Sequence, residues 1–249
     1  MREYLSSLLR EAGIRLDEAA QAGLLAYQEI VFEANRVQNL TALRSPELFL
    51  REGVLDSLLA WDAMALQPQP VLDVGSGSGL PALVWCLAGY ATEAVLLEAE
   101  RRKGEFLREA ARELGLPVEV RWGRAEDEAR GVLRDGSRLV SARALASAPV
   151  AVEVCGGLVM PSGVLCLLKG EPSRAAREAE LAEPVAARMG FGRVETRSYE
   201  LDEAVQRTLL VYRKVRATPG GRPTSYARLK REFSSQRVDA EREGGPKGE

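Results

Sequence analysis

The spacing of apolar positions divides the chain into a helical first part and a longer alternating part. Through residues 1–66, apolar side chains such as Leu24 and Val31 recur at helical spacing. Ser45-Pro46 restarts this pattern, since a capping serine followed by proline is typical of a helix beginning. The pattern predicts a helical extension packed on the rest of the protein.

Beyond this extension, short apolar runs of strand length alternate with helical patterns. Such alternation predicts βαβ units on a parallel sheet. The predicted strands are Pro70–Val74, Ala94–Glu98, Val118–Trp122, Leu139–Ala142 and Val164–Lys169.

Two further strand-like runs, Val194–Leu201 and Arg207–Val215, are separated by a link too short for a crossover. A link of this length joins antiparallel strands. We therefore predict an α/β core, residues 67–216, with a Rossmann-like sheet of five parallel strands and a C-terminal antiparallel hairpin. Residues 217–249 lose the periodicity and are predicted to be a basic, partly disordered tail, with disorder at 239–249.

Composition narrows the class of protein. The 249 residues carry a formal net charge of −2, so no global positive field indicates nucleic acid binding. No run is apolar enough to span a bilayer and no signal peptide opens the chain, so we expect a cytoplasmic protein, and a monomer. Cys86, Cys155 and Cys166 are widely spaced in apolar surroundings, which indicates reduced core residues and no metal site. The chain has no histidine, which excludes an imidazole base.

The segment Val71–Gly79, with the sequence VLDVGSGSG, is the most informative motif. Gly75, Gly77 and Gly79 let the backbone turn tightly and approach a ligand closely. Such a ligand lies in the crevice outside the strand ends, beside a helix N-terminus. Leu80 stands where the dinucleotide fingerprint has its third glycine, so a nicotinamide oxidoreductase is disfavoured. The spacing instead resembles that of S-adenosylmethionine-dependent methyltransferases, and the predicted sheet with its closing hairpin resembles their Rossmann-like class I methyltransferase fold.

Acidic residues end the first two predicted strands. Asp73 can support the glycine loop or attract the ammonium group of the cofactor. Glu98 is expected to face the cleft and accept hydrogen bonds from ribose hydroxyls, although a solvated strand end is the alternative. Ala125 and Glu126 follow the third strand, where their backbone groups can read the edge of the adenine ring.

Cationic residues end the next two strands. The guanidinium of Arg143 can hold the methionine carboxylate or orient the nucleophile, and it cannot act as a base. A structural ion pair is the alternative. Lys169 is a weaker candidate of the same kind.

In their order and spacing these motifs resemble the glucose-inhibited-division B family, bacterial 16S ribosomal RNA guanine-N7 methyltransferases, over roughly Val37 to Thr218. Other matching segments are Asn39-Leu40-Thr41, Leu55-Asp56-Ser57-Leu58, Phe106-Leu107, Leu168-Lys169-Gly170, Arg213-Lys214 and Thr218-Pro219. The resemblance implies S-adenosylmethionine as cofactor, with contacts at Gly75, Leu80, Ala125, Glu126 and Arg143 and with Glu98 on the ribose side. Asn39, Asp56 and Lys169 are expected on the acceptor side.

The implied chemistry suits this set of residues. Guanine N7 carries a lone pair and no proton, so its methylation needs alignment of the reactants and no general base. Glu52-Gly53 stands where the family usually has Arg-His, and the tail after Pro219 differs as well. A relative that methylates another RNA or a small molecule, or a non-catalytic S-adenosylmethionine-binding protein, therefore remains an alternative.

Contact with 16S ribosomal RNA or the small-subunit particle is expected to be local. From Arg213 to Arg231 there are seven basic residues and no acidic one; Tyr226 lies among them and Tyr212 directly precedes them. Basic side chains there can meet phosphates, and a tyrosine can stack on an unpaired base. A solvated tail is the alternative.

Overall fold

A seven-stranded sheet in the order β3-β2-β1-β4-β5-β7-β6 forms the centre of the protein. We analysed a computed structural model, which describes residues 1–229 and residue 231; the predicted disordered end, 239–249, lies outside the described residues. The strands are β1 (Gln69–Val74), β2 (Ala91–Glu98), β3 (Val118–Trp122), β4 (Ser137–Arg143), β5 (Val159–Lys169), β6 (Glu195–Asp202) and β7 (Val205–Arg213).

Strand directions confirm the predicted α/β class and the closing hairpin. The strands β1 to β5 pair in parallel, whereas β7 pairs antiparallel with both β5 and β6. Two strands begin three or more residues earlier than predicted, β2 at Ala91 and β5 at Val159. At the start of each of these strands the pairing with the neighbouring strand is irregular. Residues that interrupt the apolar run can stand there, so the hydrophobic pattern did not predict the first residues of either strand.

Helices cover both faces of the sheet. They are α1 (Arg2–Glu11), α2 (Glu18–Gln38), α3 (Pro46–Leu48), α4 (Asp56–Met64), α5 (Ala82–Leu87), α6 (Arg101–Glu113), α7 (Ala125–Glu128), α8 (Ala148–Gly156) and α9 (Pro172–Arg188). Helices α1 and α2 pack with α5 and α6 in one apolar cluster, while α8 and α9 form another with the opposite side of the sheet. The N-terminal helices are thus packed directly on the core.

One helical segment differs from the prediction. The sequence predicted that a helix restarts at Ser45-Pro46, but residues Phe49–Leu55 form a π-helix between α3 and α4. Ser45 caps this region as predicted, because its side chain accepts a hydrogen bond from the Leu48 N–H. π-helical turns are rare and occur frequently at functional sites. Apolar periodicity does not reveal a π turn, since one extra residue per turn leaves most of the pattern intact.

Helices long and apolar enough to cross a membrane are absent from the part of the chain that the structure describes. Within those same residues, no group of histidine, cysteine or acidic side chains could hold a metal ion.

The cysteines occupy the apolar interior, as predicted. Cys155 and Cys166 are buried and Cys86 is half-buried, and none forms a disulfide. Burial raises the pKa of Cys86 and of Cys166 to about 12 and also raises the pKa of Cys155. Since the thiolate is the nucleophile, these thiols are inert in the folded protein.

This inertness is testable with a thiol reagent. In the folded protein at about pH 8, we expect no rapid reaction with Ellman's reagent, because a thiol with a pKa of about 12 is ionised in roughly one molecule in ten thousand. In guanidinium chloride all three thiols should react within minutes. Rapid reaction of one equivalent before unfolding would contradict the burial described here.

Candidate active site

The glycine loop after β1 requires glycine at three positions. Gly75, Gly77 and Gly79 have φ angles of +72°, +57° and +101°, a region that residues with a Cβ adopt only at a cost. A Cβ on Gly75 would also lie 2.7 Å from Cδ1 of Leu145. The backbone therefore passes close to the loop that follows β4.

Two side chains, those of Glu98 and Tyr27, hold this loop in place. Glu98 accepts hydrogen bonds from the N–H groups of Gly77, at 2.9 Å, and Glu100, at 2.8 Å. Tyr27 of α2 is fully buried, and its hydroxyl donates to the Ser78 carbonyl at 2.8 Å. Glu98 can still accept further hydrogen bonds, because each carboxylate oxygen has a second lone pair.

Asp73 is buried at the end of β1, and within the described residues only one of its two carboxylate oxygens has a hydrogen-bond partner. Ser141 of β4 donates to Oδ1 at 2.6 Å, while Oδ2 has no partner among the described residues. Burial raises the pKa of Asp73 to about 7. An unpaired buried carboxylate oxygen beside the glycine loop suits a cationic group, so the residues present fit the ammonium end of S-adenosylmethionine.

The pKa of Asp73 implies a pH dependence of stability. This carboxyl titrates near 3.8 when unfolded and near 7 when folded, so its contribution is complete below about pH 4 and is lost as the pH rises through 7. Relative to Asp73→Asn, the wild-type free energy of unfolding should therefore fall between about pH 5 and about pH 8. Urea unfolding of both proteins measures this difference, and parallel pH curves would contradict the raised pKa.

A small cavity of about 120 Å³, which we call the slot, lies beside the glycine loop. Its walls include the apolar side chains of Leu97, Leu145 and Val154, with the carboxylates of Glu98 and Glu126. Ligand sites usually occupy about 300–1,000 Å³, so the slot suits one ring system of a larger ligand. Its other lining residues are Val74, Gly75, Ala99, Gly123, Arg124, Ala125 and Tyr226.

A larger cavity of about 560 Å³, the large cavity, lies at the ends of β4 and β5. Its lining is strongly charged. The basic members are Arg143, Lys169, Arg174 and Arg207, and the acidic members are Asp56, Glu171 and Glu178.

Arg143 is fixed between the π-helix and α4. Its guanidinium donates to the carbonyls of Glu52 and Gly53, and Nη2 lies 3.3 Å from Oδ2 of Asp56. Asp56 is 4% exposed and also accepts from the Tyr199 hydroxyl at 2.7 Å. Arg207 lies 3.6 Å from the same carboxylate. This charge network holds Arg143 rigidly at the cavity wall.

Lys169 has internal partners of its own. Its ammonium donates to the Ala146 carbonyl at 2.9 Å and to Glu178 Oε2 at 2.7 Å. Although burial opposes the shift, this hydrogen bond and the charge of Lys169 lower the pKa of Glu178. The pair therefore presents one positive and one negative group to the large cavity.

Five of the predicted site residues line neither the slot nor the large cavity as described: Asn39, Asp73, Gly77, Gly79 and Leu80. Asn39 is exposed, ends α2 in a left-handed conformation with φ of 46°, and is not among the residues that line the slot or the large cavity. Leu80 is 9% exposed and belongs to the apolar cluster of the N-terminal helices. It packs beside Gly53 and likewise lines neither cavity as described.

The basic segment differs from the expectation for an RNA-binding tail. Tyr212 is fully buried, so the prediction that it can stack on a base is wrong. Lys214 is also buried, and its ammonium donates to the Gly156 carbonyl and the Thr218 hydroxyl. Arg213 pairs with Glu195 at 2.7 Å. Much of the positive charge in this segment is therefore used within the fold.

Sequence analysis missed three residues that support the site. Tyr27 holds the glycine loop, and Tyr199 and Arg207 hold Asp56. The one available signal was a tyrosine at a helical core position of α2, since a buried tyrosine hydroxyl usually has a polar partner.

Comparison with known proteins identifies the family. The family described as rRNA small subunit methyltransferase G matches residues 20–207. Ribosomal RNA small subunit methyltransferase G of Symbiobacterium thermophilum is 32% identical over 231 residues, covering 89% of this chain and 93% of that protein. The protein of the same name from Halorhodospira halophila is 38% identical over 172 residues, covering 68% and 79%.

Solved structures agree on the fold. An O-methyltransferase from Bacillus cereus in complex with SAH has a TM-score of 0.50 at 18% identity, covering 76% of this chain and 91% of that one. A branched-chain polyamine synthase mutein from Thermus thermophilus has a TM-score of 0.53 at 17% identity, covering 81% and 67%. At such identities the likeness concerns the fold alone. The family match and the identities of the relatives establish that this chain belongs to the rRNA small subunit methyltransferase G family.

Proposed function

We propose that this methyltransferase places a methyl group on N7 of a guanine in 16S ribosomal RNA, with S-adenosylmethionine as cofactor. The observation that carries the proposal, besides the family, is the loop after β4, which borders two cavities. Leu145 lines the slot, while Ala144 and Ala146 line the large cavity. A methyl donor in the slot and an acceptor base in the large cavity would therefore lie on opposite sides of one loop.

The slot and its surroundings would hold the cofactor. The apolar walls suit adenine, the remaining lone pairs of Glu98 suit ribose hydroxyls, and Oδ2 of Asp73 suits the ammonium group. Backbone N–H groups at Ala125 and Glu126 begin α7, where a helix lacks internal acceptors. S-adenosylmethionine supplies an electrophilic methyl group on its sulfonium sulfur.

The large cavity would hold the acceptor base. Guanine presents the acceptors N7 and O6 on one edge and N–H donors on its pairing edge, so it suits a lining with both signs of charge. Arg143 and Lys169 can donate to guanine oxygen, and Asp56 and Glu178 can accept from its N–H groups or balance the charge that methylation adds. Arg143 retains donors for an oxygen of either reactant.

A general base is unnecessary in this proposal. N7 carries no proton, so the protein has only to hold the base in line and exclude water. In keeping with this, the chain has no histidine, and the described lining of the large cavity contains no cysteine.

The contacts with RNA and the division of the chain into parts belong to the same proposal. Exposed basic side chains would contact the RNA phosphates, among them Arg174, which lines the large cavity. They would do so in place of the buried side chains of the basic segment from Arg213 to Arg231. We propose a three-part organisation of extension 1–66, core 67–216 and tail 217–249. The monomeric state and cytoplasmic location stay predictions.

Transfer of a labelled methyl group tests the proposed function. The purified protein is incubated with labelled S-adenosylmethionine and an RNA substrate that lacks the modification, either small-subunit particles or naked 16S ribosomal RNA. The RNA is then digested, and its nucleosides are analysed by mass spectrometry. We expect labelled 7-methylguanosine. A label on another nucleoside would refute the N7 assignment, and activity only on free nucleotides would favour a small-molecule methyltransferase.

A further inference from the structure

The segment after β7 folds back onto the core as a strap, residues 218–229. Arg134 donates to three of its carbonyls, those of Thr218, Pro219 and Arg222, at 2.7, 3.0 and 2.8 Å. Arg130 donates to a fourth, that of Pro223, at 2.7 Å. These bonds fix the first half of the strap to the loop that follows α7.

The second half of the strap is fixed to α8 and the core. Glu153 of α8 is fully buried and accepts from the Arg222 guanidinium at 2.8 Å and from the Thr224 N–H at 3.0 Å. Leu229, near the end of the strap, is 3% exposed in the core cluster of the sheet. A buried carboxylate that lost its partner would be costly, so this attachment is specific.

The strap brings Tyr226 to the slot. Tyr226 lines the slot and packs, half-buried, against the same core cluster as Val154 and Leu145. Its backbone N–H donates to Oε1 of Glu126 at 3.1 Å. Tyr226 is the one aromatic residue among those that line the slot as described.

We propose that Tyr226 is a cofactor contact whose ring lies against the adenine of S-adenosylmethionine. The inference rests on the proposed function, which places adenine in the slot. A purine presents a flat π-face, and an aromatic side chain can stack on such a face whatever the identity of the base. The side chain of Glu126 fixes Tyr226, while the backbone of Glu126 would lie at the edge of the adenine ring. The strap is thus the outer wall of the cofactor site.

Calorimetric titration with S-adenosylhomocysteine tests this contact without turnover. For Tyr226→Ala we expect the dissociation constant to rise about 10-fold, in the range found for loss of one base–aromatic stack. Tyr226→Phe should bind within about twofold of wild type, because the ring is retained. Arg228→Ala is the matched control, since Arg228 is exposed on the strap and does not line the slot as described; its affinity should be unchanged.

Kinetics and a second variant separate a ligand contact from a structural role. Tyr226→Ala should raise KM for S-adenosylmethionine and leave kcat at saturating cofactor near the wild-type value. Tyr226→Leu keeps apolar bulk in the core, so it should remain folded if the alanine variant does not, and it should still bind more weakly than the phenylalanine variant.

Three other outcomes would each overturn the inference, and each has a different meaning for the proposed function. Unchanged affinity in folded Tyr226→Ala would leave the proposed function standing and remove the contact. A raised KM for RNA alone would assign the ring to a nucleotide of the substrate. Failure of the wild-type protein to bind S-adenosylhomocysteine would refute the cofactor site and the contact together.

Discussion

Replacement of Arg143 by alanine should lower kcat/KM for methyl transfer by about 100-fold or more while the protein stays folded. The guanidinium contacts two carbonyls of the π-helix and the carboxylate of Asp56. Its loss would therefore leave this wall of the large cavity without the contacts that hold it in position. A misplacement of about 1 Å between reactants can cost about 100-fold in rate. Folding should survive, because Asp56 keeps Tyr199 and Arg207 as partners.

Two further variants sharpen this prediction. Arg143→Lys should recover little activity, because a single ammonium cannot reproduce the planar fork that bridges the carbonyls and the carboxylate. Arg102→Ala, at an exposed position of α6, is the matched control and should retain wild-type kinetics. Steady-state methyl transfer on ribosomal RNA measures all three. Activity of Arg143→Ala within about fivefold of wild type would remove this residue from the proposed mechanism.

Alanine at Gly75 should weaken S-adenosylmethionine binding by about 10- to 100-fold. The new Cβ would lie 2.7 Å from Cδ1 of Leu145, and the φ of +72° would strain any residue other than glycine. Left-handed backbone costs about 1–2 kcal/mol per residue, and displacement of Leu145 would narrow the slot as well. Isothermal titration measures the affinity.

A double variant and a matched glycine separate the clash from the backbone strain. Gly75→Ala with Leu145→Ala removes the clash and keeps the strain, so it should recover part of the affinity. Gly115→Ala has a similar φ of +63° with no atom within 4 Å of the new Cβ, so it should lower stability without changing affinity. Wild-type affinity in Gly75→Ala would show that the slot does not hold the cofactor.

The parallel direction of the strands was enough to predict one part of the candidate site. Asp73, Glu98 and Arg143 each end a strand, and parallel strands bring their carboxyl ends to one edge of the sheet. The prediction of parallel strands was therefore enough to place these residues at the same edge of the sheet as the glycine loop, without any knowledge of side-chain contacts.

The remaining contacts join segments too distant for any local pattern to reveal. Tyr199 and Asp56 are 143 residues apart, Tyr226 and Glu126 are 100 apart, and Tyr27 and Ser78 are 51 apart. Their pairing depends on how the hairpin, strap and N-terminal helices pack.

Charge composition misled the interpretation of the tail for a related reason. A basic residue in a sequence has the same appearance whether it faces solvent or a buried acceptor. Lys214 and Arg222 find their acceptors in Gly156 and Glu153, which no feature of the tail itself indicates.

The position of β7 between β5 and β6 bears on biosynthesis. Because a ribosome delivers the chain from its N-terminus, β5 emerges before Val205–Arg213, the segment that covers its free edge. A nonsense mutation upstream of Val205 would leave that apolar edge without its neighbour, and exposed edges of this kind promote aggregation. Premature termination should therefore yield insoluble product in place of a weakened enzyme.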